Sequence, residues 1–513
     1  MQAQNDLQTT WTIDLPNEAA TLALAPRIQP LVGPNDLVTL SGDLGAGKTT
    51  FARALVRLLV KEPELEVPSP TFTLMQVYQA PAFPVVHADL YRIRDASELS
   101  ELGWEEAADG AVLIVEWATK AGELPPDRLD IELAMTSGRD PGRRKATITG
   151  HGAFAERVAR ARNIQALLDR SGWGSAERAF MLGDASVRAY ERLTNPDGAK
   201  AILMISPPRP DGPPVRNGKP YSAIARLAED IRPFIAVDEA LRAQKLSAPA
   251  IYAYDAQAGL AVLEDFGAEP VVDDNGPMPE RYAEATAVLA SLHARSLPSE
   301  LPLKREEAYR VPPYDIDALM IEIELVLEWY APHMARVQLS SSARAAFINL
   351  WRPLLQQICA GPTTWALRDY HSPNLIWLPE REGLRRVGVI DFQDCVLGHP
   401  AYDVVSLLQD ARVTVSDELE LKLLSHYARL RRAQTPDFNM MDFARAYAVM
   451  GAQRATKILG IFARLDRRDG KPQYLAHLPR VERYLTKDLN HPELAPLRAW
   501  YETHLPRALA ARP

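Results

Sequence analysis

The sequence predicts an α/β protein of two unequal units, and three observations carry that prediction. A glycine-rich segment, Gly42-Asp43-Leu44-Gly45-Ala46-Gly47-Lys48-Thr49, stands between a short apolar run and an amphipathic stretch. More short apolar runs, some closing on a carboxylate, fill the first 150 residues. Beyond Gly150-His151-Gly152 the pattern restarts with a new amphipathic stretch, and from about residue 280 it is mostly helical except across Trp365–His399.

In order, Asp36–Leu40 reads as a buried strand and Phe51–Val60 as a helix with Arg53 and Arg57 on its wet face. Val85–Leu90 and Ala111–Val115 are further buried-strand candidates. Leu129–Met135 and Lys145–Thr149 flank the turn-rich Ser137–Gly142 and suit a hairpin. After the boundary, Phe154–Leu168 predicts an amphipathic helix, and Ala189–Leu193 and Lys200–Ile205 predict strands joined by the turn Asn195-Pro196-Asp197-Gly198. Pro207–Pro220 reads as an exposed loop, and Leu260–Leu263 as a strand. The expected domains are 1–151 and 152–513, the second with lobes at about 152–263 and 268–513.

The 513 residues are 47% hydrophobic and 24% charged, which excludes a disordered, collagen-like or fibrous chain. The net charge of −8 resides in residues 1–150, which hold 13 basic and 21 acidic side chains, while the remainder balances. An acidic first third is a poor footprint for direct nucleic-acid binding, which needs clustered Lys and Arg. Cys359 and Cys395 sit in no metal or disulfide pattern. No signal-peptide pattern opens the sequence, and its longest apolar runs fall far short of the roughly 20 residues of a membrane span. A cytoplasmic chain without membrane association is expected.

Gly42–Thr49 fits G-x-x-x-x-G-K-[ST] without a gap. Such a loop turns successive N–H groups onto phosphates, with Lys48 reaching the β- and γ-phosphates and Thr49 holding Mg²⁺. Three more motifs follow: Ser69-Pro70-Thr71-Phe72-Thr73-Leu74, His87-Ala88-Asp89-Leu90-Tyr91-Arg92 and Leu113-Ile114-Val115-Glu116-Trp117. Together, over residues 10–150, they resemble the TsaE family of ATPases required for threonylcarbamoyladenosine in tRNA. The resemblance implies that Gly42, Gly45, Ala46, Gly47, Lys48, Thr49 and Thr50 wrap ATP, that Thr49 and Glu116 hold Mg²⁺, and that Thr71 senses the γ-phosphate. It further implies that Asp89 and Glu116 are catalytic, with Asp89 orienting water or metal, that Trp117 packs near the nucleotide, and that TsaB- and TsaD-type proteins are the partners.

The second unit carries Leu367-Arg368-Asp369-Tyr370-His371-Ser372-Pro373-Asn374, with Asp and Asn at the spacing of a kinase catalytic loop. Val387-Gly388-Val389-Ile390-Asp391-Phe392 then ends a buried strand in an acid. Phosphoryl transfer needs one carboxylate for the acceptor hydroxyl (Asp369) and an amide and second carboxylate for Mg²⁺ (Asn374, Asp391). These residues resemble the aminoglycoside/choline-type phosphotransferases, with Leu367 where the family's first His stands and His371 bracing the loop. Gly183-Asp184-Ala185-Ser186, Tyr314-Asp315, Glu322–Leu325, Trp329-Tyr330, Asp391-Phe392-Gln393-Asp394 and Lys457–Gly460 are similar to the AmgK-type anomeric kinases of N-acetylmuramate and N-acetylglucosamine.

The resemblance implies a two-lobed kinase-like fold, adenine against the backbone at Glu264-Asp265-Phe266, and a phosphate contact from Ser186. Met204 stands where kinases keep a phosphate-binding strand lysine. Lys200, an arginine from elsewhere, or Mg²⁺ with backbone amides would then compensate. The acceptor stays open between an N-acetyl amino sugar, an aminoglycoside and choline, and a degenerate regulatory module is the remaining alternative.

Overall fold

The computed structural model describes residues 7–94, 98–101, 103–136, 142–181, 188–208, 212–304 and 307–509. The chain divides into two compact units, residues 1–174 and 175–513.

The first unit is built on a seven-stranded sheet. Its strands are β1 (Gln8–Leu15), β2 (Leu37–Ser41), β3 (Met75–Tyr78), β4 (Val85–Asp89), β5 (Val112–Glu116), β6 (Arg128–Met135) and β7 (Arg144–His151), in spatial order β1-β7-β6-β2-β5-β4-β3. β6, β2, β5 and β4 are mutually parallel, while β7, β1 and β3 add antiparallel edges. Parallel strands are covered on both faces, so β2, β4 and β5 read as continuous apolar runs. The register sets Asp89 beside Glu116, and Glu116 beside Leu40, at the carboxyl edge of the sheet. The helix Lys48–Val60 starts immediately after the glycine loop that leaves β2, burying Phe51, Leu55, Val56 and Leu59. Loop, Asp89 and Glu116 therefore meet at one edge, where open α/β sheets bind ligands.

The unit boundary differs from the expected residue 151. The helix Ala153–Arg170 buries Phe154 and Val158 in the first unit's core. A Cβ at Gly150 would run into the carbonyl of Phe154, and Arg157 reaches Asp36 at 2.5 Å and Leu31 O at 2.9 Å. The apolar face read as a fresh start instead closes the first unit.

The second unit begins with a five-stranded antiparallel sheet, ordered Ile251–Asp255, Leu260–Glu264, β10 (Lys200–Ile205), β9 (Ala189–Thr194), β8 (Glu177–Met181). The β9–β10 turn closes through Gly198 N donating to Asn195 O at 2.8 Å. The helix Arg232–Ala243, with Pro233 in its first turn, buries Phe234, Ile235 and Val237. Phe234 stacks on Phe392 at 5.0 Å between centroids, joining this helix to the segment after Asp391. The remainder is helical around two small sheets, Thr364–Ala366 with Val396–Gly398 and Leu375–Trp377 with Val387–Val389. These frame residues 367–374 and Asp391. The long helix Met440–Asp469 crosses Ile316–Leu325 so closely that a Cβ at Gly460 would meet the Leu325 backbone.

Within Pro207–Pro220, expected as an exposed loop, Pro214–Arg216 pairs with Lys219–Pro220, and Arg216 reaches Glu324 at 2.5 Å; residues 209–211 lie outside the described residues. Among the described residues, no helix is long and apolar enough to cross a membrane.

Candidate functional site

In the first unit the glycine loop takes left-handed backbone at Gly42 (φ 125°), Gly45 (φ 79°) and Gly47 (φ 104°). A Cβ at Gly42 would strike the Leu133 carbonyl, so that position admits glycine for two reasons. Ala46 is fully buried beneath the loop, and Thr50 lies in the first turn of the following helix. Lys48 Nζ donates to Gly42 O (2.7 Å) and Asp43 O (2.9 Å) and lies 4.2 Å from the Trp117 ring centroid. Burial holds this ammonium's pKa below the usual lysine range, against Glu116, Asp89 and Asp43, which favour its charged form.

Thr49 Oγ1 donates to Glu116 at 2.9 Å, and His87 Nε2 lies 3.1 Å from the same carboxylate. Thr71 Oγ1 donates to Asp89 at 2.7 Å, while Asp89 also accepts from Tyr91 N at 3.0 Å. All the residues expected of this site thus gather at one sheet edge. Hydroxyl and carboxylate oxygens from Thr49 and Glu116 are hard donors suited to Mg²⁺. His87 is a residue that sequence reasoning did not single out. It is fully buried on β4, one register step from Asp89, and its only sequence signal is a polar side chain inside an apolar strand.

In the second unit Asp369 and Asn374 lie on one loop and Asp391 faces them from the next strand. Asn374 Nδ2 donates to Asp369 O at 2.9 Å and lies 3.4 Å from Asp391 Oδ2. That leaves the amide oxygen of Asn374 to face a cation beside Asp391, an oxygen pair that fits Mg²⁺. Asp391 adopts left-handed backbone (φ 61°), accepts from Gln393 Nε2 at 3.0 Å and pairs with Arg188 Nη1 at 3.0 Å. Burial pushes its carboxyl up, with Asp369 and Asp394 adding to the shift and Arg188 opposing it.

Beneath Asp369 lies a buried charge network that the sequence did not reveal as one. Fully buried Glu322 takes Arg368, Lys457 (2.8 Å), Tyr314 OH (2.5 Å) and Gln453 Nε2 (3.1 Å). Arg454 donates to Arg368 O at 3.0 Å and stands 4.0 Å from Asp369. Asp403 receives the N–H groups of Leu367 (2.7 Å) and Arg368 (2.9 Å), and burial raises its pKa to about 7. Burial alone would also raise Asp369, but Arg454, His371, Lys457 and Arg368 outweigh it and hold that carboxyl low. Asp369 is therefore an anion at neutral pH, able to orient a hydroxyl and take its proton. His371 sits buried with Nε2 3.3 Å from Arg412, and burial lowers its pKa to about 4, so it is neutral.

A cavity of about 360 Å³ runs from Asn374 and Asp391 to the linker Glu264–Gly267, between Tyr190, Ile202, Leu263 and Ile376. Its walls are mainly apolar, the character of a small-molecule pocket. The Asp265 carboxylate is engaged by Arg192 (2.8 Å) and Gly267 N (2.8 Å), so its side chain braces the linker. Ser186 and the rest of Gly183–Ser186 lie outside the described residues.

Comparison with known proteins matches the two units separately. Residues 15–145 match the family model described as threonylcarbamoyl adenosine biosynthesis protein TsaE, and residues 179–438 match the phosphotransferase enzyme family. The chain belongs to both families. An N-acetylmuramate/N-acetylglucosamine kinase of Caulobacter vibrioides is 39% identical over 356 residues, 66% of this chain and 95% of that protein. A TsaE protein of Rickettsia felis is 43% identical over 122 residues, 24% of this chain and 71% of that protein. The ethanolamine kinase of Plasmodium vivax covers 66% of this chain at 12% identity and a TM-score of 0.45. The chain is an enzyme joining a TsaE-type ATPase unit to a phosphotransferase-type kinase unit, as the motifs led one to expect.

Proposed function

We propose that the TsaE-type unit hydrolyses ATP in support of threonylcarbamoyladenosine formation on tRNA, acting with TsaB- and TsaD-type proteins. The kinase unit transfers the γ-phosphoryl of ATP to the anomeric hydroxyl of N-acetylmuramate or N-acetylglucosamine, a step of cell-wall recycling. The names of the relatives support the two substrates. The observation that carries the kinase reading is that Asn374 and Asp391 line one end of the apolar cavity while Asn374 is tied to the Asp369 backbone carbonyl.

In the first unit, the loop amides and Lys48 hold the triphosphate, Thr71 and Asp89 position the attacking water, and Thr49 with Glu116 would hold Mg²⁺. In the second, the Glu264–Gly267 backbone holds adenine, and Asn374 and Asp391 would hold Mg²⁺. When bound, Mg²⁺ neutralises charge on the phosphates. Asp369 accepts the hydroxyl proton as the sugar oxygen bonds to the γ-phosphorus and the bond to the β-phosphate oxygen breaks, releasing ADP. An anomeric hydroxyl is more acidic than an ordinary alcohol, so one positioned carboxylate suffices, in keeping with phosphoryl transfer as geometry and charge neutralisation.

The test offers both acetamido sugars, an aminoglycoside and choline with ATP and Mg²⁺, and reads the product by phosphorus–proton NMR. A sugar 1-phosphate is expected. Phosphate on the 6-hydroxyl, or turnover of only the cationic acceptors, overturns the reading.

A further inference from the structure

We propose that Arg188 is the phosphate-binding cation of the kinase unit, doing from the residue just before β9 what a lysine on the neighbouring strand does in protein kinases. The inference rests on the kinase reading above and deepens it.

The usual lysine position is closed. Met204 is fully buried in the apolar core, and Lys200 is exposed at the other end of β10, opposite Thr194. β9 instead carries the polar groups. Its residues pair with β10 as Arg192 with Ile202 and Tyr190 with Met204, and Tyr190 and Ile202 both line the cavity. Side chains alternate along a strand, so Arg192 and Tyr190 share one face of β9, and Arg188 immediately precedes the strand. Arg192 ends at the purine side, 2.8 Å from Asp265. Tyr190 stands in the middle. Arg188 ends at the opposite side, where Nη1 lies 3.0 Å from Asp391.

Its side chain is 10% exposed, and the order of charges around it explains how a guanidinium stays there. Burial disfavours the charged guanidinium, and Asp391 first, then Tyr190, Asp394 and Asp369, outweigh it and hold its pKa above the usual arginine range. The guanidinium thus contacts the Asp391 carboxylate at the point where the triphosphate must lie against Asn374 and Asp391. A planar guanidinium presents several donors in a fork that matches phosphate oxygens. As Asp391 turns to a metal, that fork can turn to the phosphates. No new cation has to be brought into the cleft.

The test uses the full chain. Loss of a charge-assisted contact to a triphosphate corresponds to roughly 10–100-fold in affinity. Arg188→Gln is expected to raise the KM for ATP in sugar phosphorylation by about that factor while leaving the KM for sugar unchanged. In a Lys48→Ala background, which weakens the first unit's nucleotide site, calorimetric binding of a non-hydrolysable ATP analogue should weaken by a similar factor. Adenosine binding should be unchanged, and Arg188→Lys should recover most of the loss. Wild-type affinity for the analogue in Arg188→Gln, or equal weakening of adenosine, overturns the proposal. If the unaltered chain phosphorylates no sugar, the acceptor reading fails on its own, and the analogue titration still decides the role of Arg188.

Discussion

The two sites solve one problem, holding a triphosphate beside oxygen ligands, with opposite use of the chain. In the TsaE-type unit the proposed phosphate cradle is eight contiguous residues whose backbone would do the binding, with three glycines at positive φ. In the kinase unit no contiguous cradle is present among the described residues. Its cations come from Arg188 just before β9, from the catalytic loop and from the helix Met440–Asp469, and each is paired with a carboxylate distant in sequence. A backbone site is written in one motif and tolerates little at its glycines. A side-chain site is dispersed and depends on a buried charge network to hold it.

That contrast sets the order of effects. Asp391→Ala removes both a metal-facing oxygen and the partner of Arg188, and it should reduce sugar phosphorylation at least as much as any single change in the unit. Steady-state kinetics at saturating Mg²⁺ provides the check, and activity near wild type would remove Asp391 from the site. Asp369→Asn keeps the shape and removes the proton acceptor, so a loss of about 10²–10⁴-fold in kcat is expected, with little change in the KM for ATP.

Gly42→Ala should abolish ATP hydrolysis by the first unit, because the added Cβ meets the Leu133 carbonyl and the position needs φ 125°. Sugar phosphorylation measured on the same preparation should be intact. Parallel loss of both would mean that the cradle's strain reaches beyond its own unit.

The smallest effect concerns stability. Asp238 is fully buried on the helix Arg232–Ala243 and burial raises its pKa from 3.8 to about 8. A carboxyl raised on folding keeps its proton in the folded chain after the unfolded chain has lost it. Its contribution to stability therefore falls as pH rises between about 4 and 8. Asp238→Asn should raise the Tm of the kinase unit at pH 8 relative to wild type by a few degrees and leave it nearly unchanged at pH 4. An equal shift at both pH values would contradict the buried, protonated carboxyl.

How much was legible follows the same division. The glycine loop, Thr71, Asp89 and Glu116 were readable because each stands in a short motif at the end of an apolar strand. His87 was not, since one buried polar residue in a strand has no distinguishing neighbours. In the kinase unit the Asp369, Asn374 and Asp391 spacing was readable. Arg188 and the ion pairs of Glu322 were not, because their partners lie up to 203 residues away and spacing carries no information about them. The boundary at 151 failed for a related reason. An amphipathic helix declares that it has an apolar face and is silent about which core receives it, here the first unit's.

The central claim is that one chain carries two ATP-using sites with separate outputs, and a crossed pair of variants tests it most directly. Lys48→Ala and Asp369→Asn would each be scored for both outputs, threonylcarbamoyladenosine in tRNA of a strain lacking other TsaE and sugar 1-phosphate formed by the purified chain. Lys48→Ala is expected to lose the tRNA modification and keep the sugar kinase, and Asp369→Asn to do the reverse. Loss of both outputs in either variant, or retention of tRNA modification in Lys48→Ala, would contradict the account.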